Sequence, residues 1–502
     1  MSATTTGQIA TPITISFNEI PSNLLVPGTY IEAGANVSQQ GLVSYPVKGL
    51  IIAPMLTTGT ATAEVPVSIW SAAQAIAAFG AGSIGAAMAT AWLAANPWTS
   101  FDALPVADPT GGVAAAGTLA VTGAPTASGN IQLYIDGTLV SVPVTAGTDT
   151  SATIATNIMA AVNSTAGLPV TATVALSTVT LTSRHLGLIG NLIPIVLNYA
   201  PTDRFPAGVT VVPTAMTGGS GSPTTANYWS AIAADRYTHA AIAWNDTVSL
   251  TATAAEMERR FNAMVGLDCL AFAVLVSPLS NLISQNAAPT SRFLYTPGVQ
   301  NAPVSPWRMA AVLAAVAAFN LGNDPGRQLE NLALPGILPP APADRFDPAE
   351  RQSLLAAGIS TFTVDAGGTL RIERIVSTYL QTSAGVPDTS WQDITTASVV
   401  IRVRYDWIAY RNAVYPRNKL ADDGSVAAEY DPNVVTPRRL WSSWGSRCKL
   451  YEQLGWIENS AVTNAASVFQ RDLTNRNRVD ARMQIQVIGN LMILAGQLEF
   501  SL

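Results

Sequence analysis

The sharpest chemical signal in the chain is GAGSIG at residues 80–85. Gly80, Gly82 and Gly85 fit the G-x-G-x-x-G spacing, in which glycines let the backbone approach a dinucleotide pyrophosphate at a helix N-terminus. That device works only between a strand and a helix. Here an Ala-rich helical segment precedes it. The next acid, Asp102, falls beyond the helix-ending Pro97, so no carboxylate is in place for a ribose. The segment reads as a turn between two helices, with a dinucleotide-binding enzyme as the alternative.

Other chemistry is harder to place. There is no G-x-x-x-x-G-K-[ST] phosphate loop and no G-x-S-x-G nucleophile elbow. His239 sits inside an apolar strand and reads as a core residue, and His185, in SRHLGLIGN, reads as a strand-end turn residue. Cys269 and Cys448 have no partner at metal or redox spacing and read as buried thiols. No His/Cys/Asp/Glu set has zinc spacing. ADDGSVAAEYD (421–431) lacks the spaced oxygens and closing Glu of a calcium loop, so Asp422-Asp423-Gly424 reads as an exposed turn. No catalytic, cofactor or metal residue is assigned, and the chain is expected not to be an enzyme.

The bulk properties point toward assembly. The chain has 502 residues, enough for about three domains. It is 48% hydrophobic but only 12% charged, against roughly 25% in ordinary soluble domains. Subunits that cover one another would account for so few charges. A net charge of −6 argues against a nucleic-acid partner. Only Lys48, Arg184 and Arg204 carry basic charge before residue 223, so the two parts of the chain differ in character. The opening MSATTTGQIATP lacks the pattern of a signal peptide. AAMATAWLAA and MAAVLAAVAAF are shorter than the roughly 20 residues that span a bilayer, so they read as buried helices and no membrane insertion is expected.

The elements that follow from periodicity fall into three textures. KGLIIAPM is a buried strand, followed by helices over SIWSAAQAIAAFG and SIGAAMATAWLAANP. Residues 108–222 are nearly uncharged and strand-rich, with a tight hairpin at Asp136-Gly137, one helix over TSATIATNIMAAVNS, and TGGSGSPTT as a closing flexible linker. Beyond it, strands THAAIAW, CLAFAVLV and RFLYTPG alternate with helices SLTATAAEMERRFNAMVG and SPWRMAAVLAAVAAFNLG, the pattern of a partly parallel α/β layer. A hairpin turns at Gly367-Gly368, and TPRRLWSSWGSRCKLYEQLG forms a helix with an apolar stripe of Leu440/Trp441, Trp444, Cys448 and Tyr451. Near each end lies a lone alternating segment. Ile13, Ile15 and Phe17 share one face of ITISFN. Leu494, Gly496, Leu498, Phe500 and Leu502 share one face of LAGQLEFSL.

Several long stretches resemble the tail sheath proteins of contractile bacteriophages, in particular the Mu-type family. They include ISFNEIPSNLLVPGTYIE, SAAQAIAAFGAGSIGAAMATAWLAANP, LPGILPPAPADRF, LLAAGISTFTVDAGGTLRIERIVSTY and YPRNKLADDG. GTLAVTG through VTLTSRHLGLIGN resembles the inserted module of that family, and IQVIGNLMILAGQLEFSL resembles its C-terminal arm more loosely.

The resemblance implies an α/β core with a mixed, partly parallel sheet and flanking helices, an inserted β-rich α+β domain, and extended N- and C-terminal strand arms. The implied division is an arm at 1–20, core at 21–107, an outward-facing insert at 108–222, core at 223–484 and an arm strand at 485–502. The arm residues would be Ile13, Ile15, Phe17, Ile485, Val487, Leu494, Leu498, Phe500 and Leu502. Arg417, Lys419, Arg471, Arg478 and Arg482 are candidates for tube-facing or inter-subunit charges, the later ones on a helix near Phe469–Arg482. Implied partners are further copies of the chain in a helical homopolymer, a tail tube protein, and baseplate and tail terminator proteins. The implied place is a virion tail assembled in host bacterial cytoplasm, where a metastable sheath contracts to drive the tube through the host envelope. Another tail or baseplate structural protein is the alternative in the same class.

Overall fold

The computed structural model describes residues 28–29 and 41–500. Ile13, Ile15, Phe17 and Leu502 therefore lie outside the described residues.

The core is a six-stranded sheet built on Gly49–Pro54 (GLIIAP), buried at every residue. A continuous apolar run is what a strand covered on both faces requires. It pairs in parallel with Phe101–Val106 on one side and His239–Ile242 on the other. The ladder continues in parallel through Leu270–Phe272 to Leu294–Tyr295. Val67–Ser68 closes the opposite edge, antiparallel to Phe101–Val106. The sheet is thus mixed and mainly parallel. Helices Ile84–Ala95 and Pro306–Asn323 pack against each other and onto the central strands. Pro306–Asn323 is apolar almost all round because almost all of it is buried, which explains its membrane-like composition. Gly49 must be glycine: a Cβ there would run into the Trp92 ring.

Two expected strands are each broken in two. CLAFAVLV divides into Leu270–Phe272 in the main sheet and Leu275–Val276, which pairs with Gly298–Val299. RFLYTPG divides likewise around Pro297, which has no N–H to give a ladder.

Between Phe101–Val106 and His239–Ile242 the chain forms the β-rich insert. Four antiparallel strands are ordered Val209–Pro213, Ala114–Gly123, Thr178–Leu186, Val170–Ala175. A second sheet is ordered Thr138–Val144, Gly129–Ile135, Ile195–Leu197. Helix Ser151–Ser164 starts at a capping box of Thr150 and Thr153. Asp136 and Gly137, both at positive φ (49° and 72°), make the expected tight turn.

The expected flexible linker is corrected. Thr217 and Ser220 exchange backbone hydrogen bonds with Ala116 and Val113, and Asn191 grips Gly219 through both its amide groups. Gly219 serves close packing, since a Cβ would strike the Gly187 carbonyl. Glycine in sequence signals either freedom or contact, and here it is contact.

The remaining chain forms a lobe with its own apolar cluster around Val399, Val403, Trp444, Cys448, Tyr451 and Trp456. Its two long helices are Ile394–Val414 and Pro437–Gln453. The first of these was not read from sequence. Its β-branched start, ITTASVV, looks strand-like, and its apolar residues are spread around the axis. The expected helix near Phe469–Arg482 is also corrected. It is an antiparallel hairpin, Val468–Arg471 with Val479–Arg482. Its turn is organised by Asp472, whose carboxylate accepts from the backbone N–H groups of Asn475 and Thr474 and from the Thr474 hydroxyl. Those donors hold its pKa below the usual carboxylate range.

A buried ion pair joins the two lobe helices. Arg447 Nη2 meets Asp406 Oδ2 at 2.5 Å, both side chains 2% exposed, and the Tyr451 hydroxyl donates to the same oxygen at 2.6 Å. Replacing one partner leaves an uncompensated charge in the core. Asp406→Ala is expected to destabilise the lobe by about 3–5 kcal/mol. The double variant Asp406→Leu/Arg447→Met should recover only part of that loss, because the Val43 N–H, the Tyr451 hydroxyl and the Gly41 carbonyl lose their partners, as read by chemical denaturation.

Candidate assembly surface

The histidines are structural. His185 is wholly buried in Thr178–Leu186 rather than in a turn. Its Nε2 accepts the Ile84 N–H at 3.1 Å, so the proton is on Nδ1, which donates to Asp108 at 2.8 Å. His185 thereby pins the insert to the first turn of helix Ile84–Ala95. Asp136 does the same elsewhere: its carboxylate accepts the Ser305 N–H at 2.9 Å, at the start of helix Pro306–Asn323, and its carbonyl accepts from Arg308. His239 is buried in the core, 3.0 Å from the Thr238 hydroxyl and stacked on Phe272. Burial pushes its pKa down to about 3.

GAGSIG forms the turn between helices Ala72–Phe79 and Ile84–Ala95. Gly80 and Gly82 take positive φ (91° and 79°), and Gly82 lies against the Leu168 carbonyl and Arg184 of the insert. The tight approach of Gly82 to the insert is what its missing side chain serves here, and a helix rather than a strand precedes the turn. Asp102 gathers Lys48 at 2.5 Å, Ser68 at 2.6 Å and Tyr237 at 2.9 Å. Burial alone would raise its pKa, but these donors hold it below the usual carboxylate range. Its role is to tie the edge strand to the incoming chain at Lys48.

The C-terminal residues separate into two sets. Ile485 and Val487 pack on the lobe's own apolar cluster, and Gln486–Val487 pairs antiparallel with Ile457–Glu458. They anchor the segment within its own chain. Ile488, Asn490 and Leu491 add hydrogen bonds to Trp456, Thr395 and Gln328. Beyond that point no ladder forms through residue 500. Leu494, Leu498 and Phe500 are 86%, 94% and 82% exposed. A strand is completed only by a neighbouring edge, and the described residues supply none here.

The described N-terminal side is anchored in the same lobe. The Val43 N–H donates to Asp406 at 3.0 Å, Arg447 donates to the Gly41 carbonyl at 3.3 Å, and Leu42 packs on the lobe cluster. This convergence had no sequence signal, since Gly41 and Arg447 are far apart in the chain.

Three of the five candidate charges are engaged within the chain. Lys419 pairs with Asp431 at 2.8 Å, Arg471 with Asp422 at 2.9 Å, and Arg478 with Asp480 at 2.6 Å. Arg417 and Arg482 are exposed and form no ion pair with another described residue. Arg471 and Arg482 lie on the hairpin, and Lys419 begins the short parallel pairing of Lys419–Leu420 with Val434–Val435.

A mainly parallel core, a firmly docked insert and an apolar terminal segment left in water define an assembly subunit. Residues 218–378 match the family model for the phage tail sheath protein central domain. Over 491 residues the chain is 30% identical to the Mu-like prophage FluMu tail sheath protein of Haemophilus influenzae, covering 98% of this chain and 100% of that one. The PVC sheath complex of an extracellular contractile injection system, in the contracted state, has a similar fold at TM-score 0.50 and 10% identity, over 95% of this chain and 98% of the other. A sheath tail protein from Desulfitobacterium hafniense gives TM-score 0.49 and 14% identity over 92% and 97%. The chain belongs to the phage tail sheath protein family and is a structural subunit of a sheath.

The His239 environment sets an acid limit on that subunit. Unfolded, the imidazole titrates near 6.5, whereas folded it resists protonation until about 3. The unfolded chain therefore binds the proton first, and stability is lost as pH falls from 6.5 toward 3. Urea midpoints at pH 7 and pH 5 should diverge more for the wild type than for His239→Gln.

Proposed function

We propose that the chain polymerises head-to-tail into a helical sheath around a tail tube, with its terminal arms adding strands to neighbouring copies. The observation that carries this reading is the apolar C-terminal segment, anchored through Leu491 and unpaired beyond it. Strand addition supplies main-chain hydrogen bonds together with pockets for alternate side chains. Leu494, Leu498 and Phe500 recur on one face, and each contributes roughly 2 kcal/mol when fully buried.

The lobe hairpin Val468–Arg471/Val479–Arg482 suits the receiving role. It is two-stranded, and an isolated two-stranded ribbon is marginal without a third strand. The core sheet suits it less. At one edge the Gln74 side chain bonds the Ser68 carbonyl and the Trp70 N–H, and at the other Ser377 and Thr378 cover Leu294–Tyr295. The rooting of residues 41–43 and 485–491 in one lobe supports a linkage that persists while cores move as rigid bodies.

On this reading the insert at 108–222 faces outward, and the core is built from 21–107 and 223–484. Arg417 and Arg482 remain as candidates for tube or inter-subunit contacts, whereas Lys419, Arg471 and Arg478 first hold the lobe together. The array stores its energy in packing, so contraction in a virion tail, started at the baseplate, needs no nucleotide. The fold likeness to a sheath complex in its contracted state is in keeping with this.

Negative-stain microscopy and light scattering test the proposal. The wild type is expected to form tubes at high concentration. Phe500→Asp and a truncation after Met492 should raise the polymerisation threshold about tenfold or more, with unchanged thermal melting of the subunit. Normal tubes from both variants would end the strand-donation reading.

A further inference from the structure

Three exposed aromatic side chains line one groove of about 450 Å³: Trp70, Trp98 and Phe319, at 67%, 81% and 42% exposure. The groove lies at the Val67–Ser68 edge of the core sheet, lined also by Ile69, Leu93 and Tyr45, and no charged residue among the described ones lines it.

Both tryptophans are displayed on braced loops. Asn96, 2% exposed, accepts the N–H groups of Trp98 and Thr99 and donates to the Ala315 carbonyl at 2.9 Å, which fixes the Asn96–Thr99 turn. The Trp70 N–H donates to Gln74 Oε1 at 2.9 Å, and Gln74 also bonds Ser68. A large aromatic on a pre-ordered loop loses little entropy when it is covered, which is the signature of an interface anchor.

We propose that this groove is a contact surface for a second copy of the chain, made by side-chain docking rather than strand addition. The proposal rests on the sheath reading and deepens it. Gln74 already occupies the backbone groups at this edge, so an added strand finds no ladder there. The three aromatics present roughly 400 Å² of apolar surface, about half of what one partner contributes to a standard interface. A surface without charge excludes steering by an acidic or basic partner and fits a chain that is itself only 12% charged. The groove is concave, so it receives a different face of the second copy. Such a contact is heterologous and extends a helix rather than closing a dimer.

The test uses the full chain. Asn323 is exposed and lines the groove without supplying an aromatic, so Asn323→Cys reports on cover there, while Cys269 and Cys448 are buried. Maleimide labelling of Asn323→Cys should be at least about tenfold slower in the polymer than in dissociated subunits, and Trp98→Glu should raise the polymerisation threshold about tenfold with an unchanged subunit melt. Equal labelling in both states, or a wild-type threshold for Trp98→Glu, overturns the groove contact while leaving the sheath reading intact. If Trp98→Glu alters the subunit melt, Trp98→Ala is read in its place by the same threshold. A wild-type chain that never polymerises removes both.

Discussion

The parallel pairing of Gly49–Pro54 between Phe101–Val106 and His239–Ile242 is the constraint on which the rest depends. It joins chain from before and after the insert into one sheet. The two outer strands of this trio are separated by the whole insert, so their alignment needs the insert to return its chain to where it left. Loop-closure entropy rises only slowly with length, so a long excursion is tolerated if its ends are held together. They are held by the paired backbones of Val113, Ala116, Thr217 and Ser220. His185 and Asp136 then seat the insert on the first turns of two core helices. The insert is thus tied to the core by specific buried contacts, although its composition is that of a separate module.

The second organising interaction is the Asp406–Arg447–Tyr451 group. Placed between two lobe helices, it also takes the Val43 N–H and the Gly41 carbonyl. A fully satisfied buried network specifies one arrangement, because any slip leaves a charge without a partner. The lobe therefore holds residues 41–43 and 485–491 on one base. The unpaired segment beyond Leu491 hangs from a rigid base, which is what a linkage under load requires.

Edges decide where neighbours can attach. The core sheet has both edges occupied, by the Gln74 side chain and by residues 377–378. Covered edges prevent uncontrolled sheet-to-sheet association. What remains open for assembly is then divided by chemistry. On the proposed reading, backbone pairing falls to the lobe hairpin and the terminal segment, and side-chain packing to the Trp70–Trp98 groove.

Much of this was legible in the sequence. Gly49–Pro54, the helices beginning at Ala72, Ile84 and Pro306, the Asp136-Gly137 turn and the Pro437–Gln453 helix follow from local patterns whose physical cause is local. The same holds for the reading of GAGSIG as a turn, since its neighbours in sequence deny it the strand a nucleotide loop needs. The misjudged segments are those whose outcome depends on distant partners. TGGSGSPTT became a docked connection because Asn191 and Val113 lie beside it. Ile394–Val414 became a helix against its β-branched start because Trp444 and Tyr451 needed a surface to pack on. LAGQLEFSL alternates as a strand should, yet through residue 500 it meets no edge among the described residues. Sequence alone set the intrinsic preference of each segment; only the fold decided which partners were within reach, because hydrogen bonds and buried contacts need neighbours that chain order does not reveal.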